Sequence, residues 1–390
     1  MGVQARSDGA RRLASSDEWS PRSHSERMQP RRWPAMIHLV QPMPGDTVSG
    51  GYRYGREIQK RLERDGTGCV TSLEDLDPRA LSSSDVLVLD SLYLSKDIAP
   101  KLLEFPGRKC LLLHYLPSRQ RLLNDGHRER RIRLEAQWLD WAERLLVPSF
   151  RFAATLPSSA RRTKEVHVTT PGMSRAFRSP IPLLHEPREG EPLCIITVDA
   201  ISSDKNVGAI LEALRELDSH EFVWHIAGDL DRERDYGDAF LEAVERAGLS
   251  SRVRWHEKLS PASVARLLDQ GHLYVTASRE ESYGMATAEA VARGLPVVGF
   301  DVGCTSQWVI PGANGHVLAL GQEEEFRKTL LVLAANRGRL YKLAQGARTM
   351  AERIQFPSWD DTYDAFRLAC ARPVQKHKRT LDPRAPGHFG

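Results

Sequence analysis

Glu281 and Glu289 flank Tyr283-Gly284-Met285 within residues 277–299, where this chain carries its densest chemical signal. A carboxylate accepts hydrogen bonds from the hydroxyls of a sugar or a ribose. Glu281 falls in a polar loop, 278–284, and Glu289 lies one turn into a small-residue helix expected over 285–293. The first N–H groups of a helix have no partner inside it and suit a phosphate. Ala286, Ala288, Ala290 and Ala292 leave room for a ligand or a neighbouring helix. Either glutamate alone is accounted for by a solvated helix start, where the dipole favours an acid. The two together, around a glycine and ahead of Gly294-Leu295-Pro296-Val297-Val298, point to a site for a ligand with hydroxyls and phosphate.

The elements that hold this stretch can be read from its neighbours. Residues 272–277 read as a strand, Gly294 and Pro296 stop the helix, and 295–300 reads as the next strand. Strand, loop, helix and strand make a unit of a parallel sheet. The same alternation starts at Leu193, with strands over 194–198, 222–227 and 253–255 and helices over 207–217, 238–247 and 261–268. Helices over 322–335 and 340–354 close it. An earlier series has strands at 36–40, 85–90 and 109–114, continuous apolar runs that suit strands covered on both faces. Further strand-like runs begin at Leu145 and Val166. The loop 41–51 ends Ser49-Gly50-Gly51 ahead of a helix over 52–62, and paired glycines there let backbone N–H groups approach an anion or a sugar. Asp90 and His114 end their strands at the edge where open α/β sheets bind ligands. A strand-end histidine bonding local backbone is the plainer account of His114.

The fold expected is α/β, two doubly wound, Rossmann-like domains facing across a cleft. They span 36–178 and 193–355, joined by a Pro- and Glu-rich linker at 179–192 and followed by a helix over 356–371. Residues 1–35 and 372–390 have the composition of a disordered leader and tail. A net charge of +4 over 390 residues gives no argument for nucleic acid. The five cysteines are scattered, without metal spacing, which suits structural thiols in a reducing cytoplasm. Cys110 and Cys194 fall in strands expected to be buried. No apolar run reaches membrane-spanning length. A helix expected over 128–145 carries Leu134, Trp138, Trp141 and Leu145 on one stripe, among Arg119, Arg121, Arg128, Arg130, Arg131 and Arg133. The stripe reads first as a core face and second as a peripheral membrane contact.

The frame from Glu281 through Tyr283-Gly284 to Glu289-Ala290 and Gly294-Leu295-Pro296-Val297-Val298 resembles that of the retaining GT-B glycosyltransferases of the family four type, the group one glycosyl transferases. Ser282 stands in place of their usual Gly and Tyr283 in place of Phe. The likeness in organisation covers 36–371, and its specific motifs lie mostly between Lys205 and Gly315. It implies that Glu289 binds ribose hydroxyls and Glu281 sugar hydroxyls. It implies that Lys205 and the N–H groups after Tyr283, at Gly284 and Met285, hold the diphosphate. His114 would lie near the donor sugar, Gly50 and Gly51 would face donor and acceptor, and the helix over 356–371 would cross back to the first domain. The family's Gly-Arg pair should fall at Asp199-Ala200, so its arginine is absent. Either another cation, such as Arg279 or Arg53, replaces it, or diphosphate binding is weakened. Gln307 stands in place of a usual Glu, and Asp229-Leu230-Asp231 at a strand end is read as a turn rather than a metal site. The activity implied is transfer of a sugar from a nucleoside-diphosphate sugar, UDP- or GDP-linked, to a hydroxyl acceptor, with no metal and no further cofactor. A non-catalytic scaffold on the same fold and a nucleotide-sugar isomerase are the alternatives.

Overall fold

The computed structural model describes residues 36–42, 49–94, 96–119, 125–182, 190–217 and 222–371. The leader and tail expected at 1–35 and 372–390, Arg121 and the middle of the linker lie outside the described residues.

Two six-stranded parallel sheets carry the fold. The first contains β1 (Ile37–Val40), β2 (Gly68–Thr71), β3 (Val86–Asp90), β4 (Arg108–Leu112), β5 (Arg144–Val147) and β6 (Glu165–Val168), in the order β2-β1-β3-β4-β5-β6. The second contains β7 (Leu193–Val198), β8 (Phe222–Ala227), β9 (Val253–Trp255), β10 (Leu273–Val275), β11 (Val297–Phe300) and β12 (Gly315–Leu318), in the order β12-β11-β10-β7-β8-β9. Each order reverses once, between β1 and β3 and between β7 and β10, and ligands of such sheets bind in the crevice beyond the strand ends at that reversal. Helices cover both faces, so the central strands are mostly apolar; every residue of β3 is buried.

Three differences from the sequence reading have physical causes. The edge strands β2 and β12 were not anticipated. Each begins at a glycine, Gly68 or Gly315, where a Cβ would sit 2.2 or 2.1 Å from the carbonyl oxygen of Ile37 or Val297. Close pairing at these edges therefore requires glycine, a residue that otherwise marks a break. The arginine-rich helix spans Asp125–Trp141 and stops four residues short of Leu145, which pairs with Leu111 in β5. Sheet pairing there overrides the helical period, and Glu143 already donates its N–H to Lys109 at 2.9 Å. The Gly50–Asp65 helix starts two residues earlier than expected, at Gly50, with Ser49 as its cap.

Trp138 and Trp141 of the stripe lie in the core of the first sheet and Leu134 is buried, and the two indoles donate to Lys96 and Leu102 carbonyls at 2.9 and 3.2 Å. Arg128, Arg130 and Arg133 face solvent. No helix among the described residues is long and apolar enough to cross a membrane. Cys110 is buried, whereas Cys194 is only partly so. The final helix, Trp359–Ala371, lies on the first sheet, where Trp359, Tyr363 and Phe366 share a core with Ile37, Tyr54 and Val86. Arg144, fully buried in β5, donates to the Ala369 carbonyl at 2.6 Å and pairs with Glu165 at 2.9 Å. A cation at the C-terminal carbonyls of a helix is favoured by its dipole and anchors the helix there.

Candidate functional site

Beyond the end of β7 the chain turns through Asp199 to Asn206. Asp199 is buried; its Oδ2 accepts from Thr276 Oγ1 at 2.9 Å, and its Oδ1 lies 3.2 Å from Lys205 Nζ. Lys205 also pairs with Glu281, from the loop after β10. Burial opposes its charge, but Glu281 and Asp199 outweigh that and push the lysine pKa above its ordinary value. Burial raises the Asp199 pKa, with Lys205 acting against it. The two loops are tied a second time where Arg279 N–H donates to the Asp204 carbonyl at 2.9 Å. The Asp204 side chain is held by Arg232 at 2.8 Å and by Ser202 Oγ at 2.5 Å. Arg279 forms no ion pair among the described residues.

Glu289 sits one turn into the Met285–Ala292 helix and is only 5% exposed. The helix opens at Gly284, whose φ of 94° is left-handed, and no side chain caps its first N–H groups. The Glu289 carboxylate meets Arg53, whose Nη1 stands 2.5 Å from Oε1. Burial raises the Glu289 pKa and Arg53 counteracts it. The ring of Tyr283 is buried edge-on against Trp308, with centroids 5.0 Å apart, so the backbone rather than the phenol of Tyr283 belongs to the mouth. Gly303 lets the next loop close on it: a Cβ there would be 2.6 Å from the Tyr283 carbonyl oxygen.

The first sheet supplies the facing wall. His114 Nε2 lies 3.2 Å from Asp90 Oδ2, and its backbone N–H donates to Ser91 Oγ at 2.8 Å. The Tyr54 ring meets the imidazole edge-on at 5.2 Å. A Cβ on Gly51 would be 3.1 Å from His114 Cδ2, and one on Gly50 would be 3.4 Å from Met285 Sδ. The paired glycines thus let the first helix approach both His114 and the start of the second domain's helix. Four further contacts cross between the walls. Ser282 Oγ donates to the His114 carbonyl, and Ser149 Oγ donates to the Ser282 carbonyl at 2.9 Å. Arg151 pairs with Asp301 at 2.6 Å, and Arg119 with Glu280 at 3.1 Å.

The structure thus gathers Glu281, Lys205, Glu289, Gly284, Met285, Gly50, Gly51 and His114 around one mouth. Sequence reasoning did not single out Asp199 or Ser282 as site residues, and it weighed Arg53 only as a substitute cation. An acid directly after an apolar strand was the available signal for Asp199. Gln307 lies exposed on the short Thr305–Trp308 helix. Asp229 and Asp231 are each paired with a cation, Lys258 at 3.1 Å and Arg234 at 2.7 Å. Among the described residues no three His, Cys, Asp or Glu side chains are grouped to hold a metal ion.

Residues 185–350 match the family described as glycosyl transferases group 1. A D-inositol 3-phosphate glycosyltransferase from Gordonia bronchialis is 29% identical over 141 residues, 36% of this chain and 30% of that protein. The UDP-N-acetylglucosamine–peptide N-acetylglucosaminyltransferase GtfA subunit of Streptococcus gordonii is 25% identical over 174 residues, 43% of this chain and 33% of the subunit. The aligned part therefore spans about a third of these curated relatives. Among solved structures, sucrose-phosphate synthase from Thermosynechococcus elongatus superposes with a TM-score of 0.66 at 14% identity, covering 85% of this chain and 96% of that one. Anabaena HepE in complex with UDP and glucose superposes at 0.62 and 15%, covering 85% and 98%. The architecture is GT-B.

Proposed function

We propose that this chain, whose residues 185–350 match the group 1 glycosyl transferases, moves a sugar from a nucleoside-diphosphate sugar to a hydroxyl acceptor. The observation that carries the reading is the convergence of Lys205, Glu281 and Glu289 at the reversal between β7 and β10. Glu289 is positioned to accept ribose hydroxyls, Glu281 those of the sugar. Lys205, held charged by its two carboxylates, and the uncapped N–H groups from Met285 onward face the diphosphate. Their work is electrostatic: charge grows on the departing diphosphate, and fixed donors lower its energy without reorganising. We assign the reaction a retaining course. The leaving phosphate, on the same face as the acceptor hydroxyl, takes its proton, so no side chain is named as general base. His114 lies on the opposite wall, beside the sugar. We further assign a metal-free mechanism and a cytoplasmic location.

Uridine donors are the first to test, because the GtfA subunit is named for UDP-N-acetylglucosamine and HepE was solved with UDP and glucose. The experiment incubates the protein with UDP- and GDP-sugars, with and without hydroxyl acceptors, in EDTA, and follows products by mass spectrometry and NMR. Transfer or slow donor hydrolysis with an anomer of unchanged configuration is expected. Binding of nucleotide without turnover would identify a scaffold. An epimerised donor formed without acceptor would identify an isomerase. Activity abolished by EDTA and restored by Mg²⁺ or Mn²⁺ would overturn the metal-free assignment.

A further inference from the structure

Arg53 leaves the first turn of the Gly50–Asp65 helix and crosses to the second domain's wall. Its Nη1 lies 2.5 Å from Glu289 Oε1, its Nη2 donates to Ser174 Oγ at 2.8 Å, and its guanidinium stands 5.8 Å from the centre of the Phe177 ring. No other group donates a hydrogen bond to the Glu289 carboxylate among the described residues. The arginine side chain keeps 20% of its surface exposed while that of Glu289 keeps 6%, so Arg53 is the more exposed partner of the pair.

The charges of the mouth make this pair consequential. Asp199, Glu281 and Glu289 are three carboxylates, and among the described residues the second domain sets only Lys205 directly against them. That ammonium already serves two acids. A diphosphate arriving beside it adds further negative charge in a site where burial weakens screening. A ribose offers two neighbouring hydroxyls that together span both oxygens of a carboxylate, including the Oε1 that Arg53 holds. Ribose and Arg53 therefore compete for Glu289, and a displaced Arg53 is a mobile cation released next to the incoming diphosphate.

We propose that Arg53 is an exchanging cation. With the cleft empty it neutralises Glu289, and when a nucleotide's ribose takes Glu289 it transfers to the diphosphate. Arg53 then supplies, from the opposite domain, the second positive charge that β7 and its turn lack, and the exchange couples nucleotide binding to the contact between the two walls. Arg53 is a positioning residue toward Glu289 and a binding residue toward the diphosphate. The proposal rests on the glycosyltransferase reading of the mouth.

The test is calorimetry of uridine, UMP and UDP, with the guanosine series alongside, on wild type, Arg53→Ala, Arg53→Lys and Glu289→Ala. Exchange predicts opposite signs. Arg53→Ala should bind the nucleoside about threefold to tenfold more tightly, because its competitor is gone, and UDP or GDP more weakly, because the loss of a charged partner, about tenfold to a hundredfold, outweighs that same gain. Arg53→Lys should recover part of the diphosphate affinity. A merely structural Arg53 would move nucleoside and diphosphate in the same direction, and that result overturns the proposal while leaving the donor site intact. If Glu289→Ala changes the affinity of no ligand, the donor-site reading falls and the exchange with it. Should thermal melting show Arg53→Ala unfolded, Arg53→Gln, which keeps a hydrogen bond but no charge, carries the same two-sign expectation.

Discussion

Both sheets reverse their strand order once, yet the two reversals are furnished differently. Beyond β7 and β10 the second sheet gathers Asp199, Lys205 and Glu281, with Glu289 on the helix behind, and the mouth is held by ion pairs. Beyond β1, β3 and β4 the first sheet offers Gly50, Gly51, Asp90 and His114, held by close packing of glycine, imidazole and the Tyr54 ring. One wall can therefore bind charge and the other can bind shape. Arg53 crosses this division, a cation on the shape-binding wall committed to Glu289 on the other, as Arg119 and Arg151 are to Glu280 and Asp301. Two doubly wound domains of similar topology need not share a chemical role; the residues one or two positions past each strand decide it.

The sharpest way to break this contrast is Lys205→Ala. It leaves Asp199 and Glu281 without their cation, and removing one member of a buried ion pair costs about 3–5 kcal/mol. Chemical denaturation should show a loss of that order, and UDP should lose more affinity than UMP. A variant as stable as wild type would mean that the acids are neutral and the mouth is not charge-built.

A division within the charged wall follows next. Glu289→Ala should weaken both the intact donor and the free nucleoside diphosphate by roughly tenfold to a hundredfold, the loss of hydrogen bonds to a charged group at about 1.5–3 kcal/mol. Glu281→Ala should spare the free nucleotide and weaken the intact donor. Equal effects of the two variants on UDP, read by calorimetry, would erase the distinction between ribose and sugar subsites.

On the other wall, His114→Ala should lower turnover by about tenfold, the scale of one lost hydrogen bond, while UDP affinity stays the same. Weakened UDP binding would place nucleotide contacts on the shape-binding side and blur the comparison. The smallest effect belongs to Ser282→Ala, which removes the hydroxyl that Ser282 sends across to the His114 carbonyl. A loss of about 1 kcal/mol in stability is expected, seen as a lower melting temperature together with a larger radius of gyration by scattering. An unchanged radius would show that the other cross-wall contacts hold the domains without it.

Much of this molecule was legible from local pattern. Apolar runs such as 85–90 and 109–114 have few places to go except the middle of a covered parallel sheet, and both are found there as β3 and β4. The alternation of strand and helix, the stop at Gly294 and Pro296, and the glutamates around Gly284 are likewise local, because backbone preference and side-chain period act over a few residues. Pairing across the chain was decided only by the tertiary structure. Arg53 and Glu289 are 236 positions apart, and Lys205 and Glu281 are 76 apart. The edge strands β2 and β12 exist because a neighbour offers its carbonyls, and the helix ending at Trp141 stops because β4 draws the next residues into a sheet. A charge in sequence carries no mark of the partner it will meet. That choice depends on which loops two distant strand ends bring within a few ångströms, and on how little water is left between them.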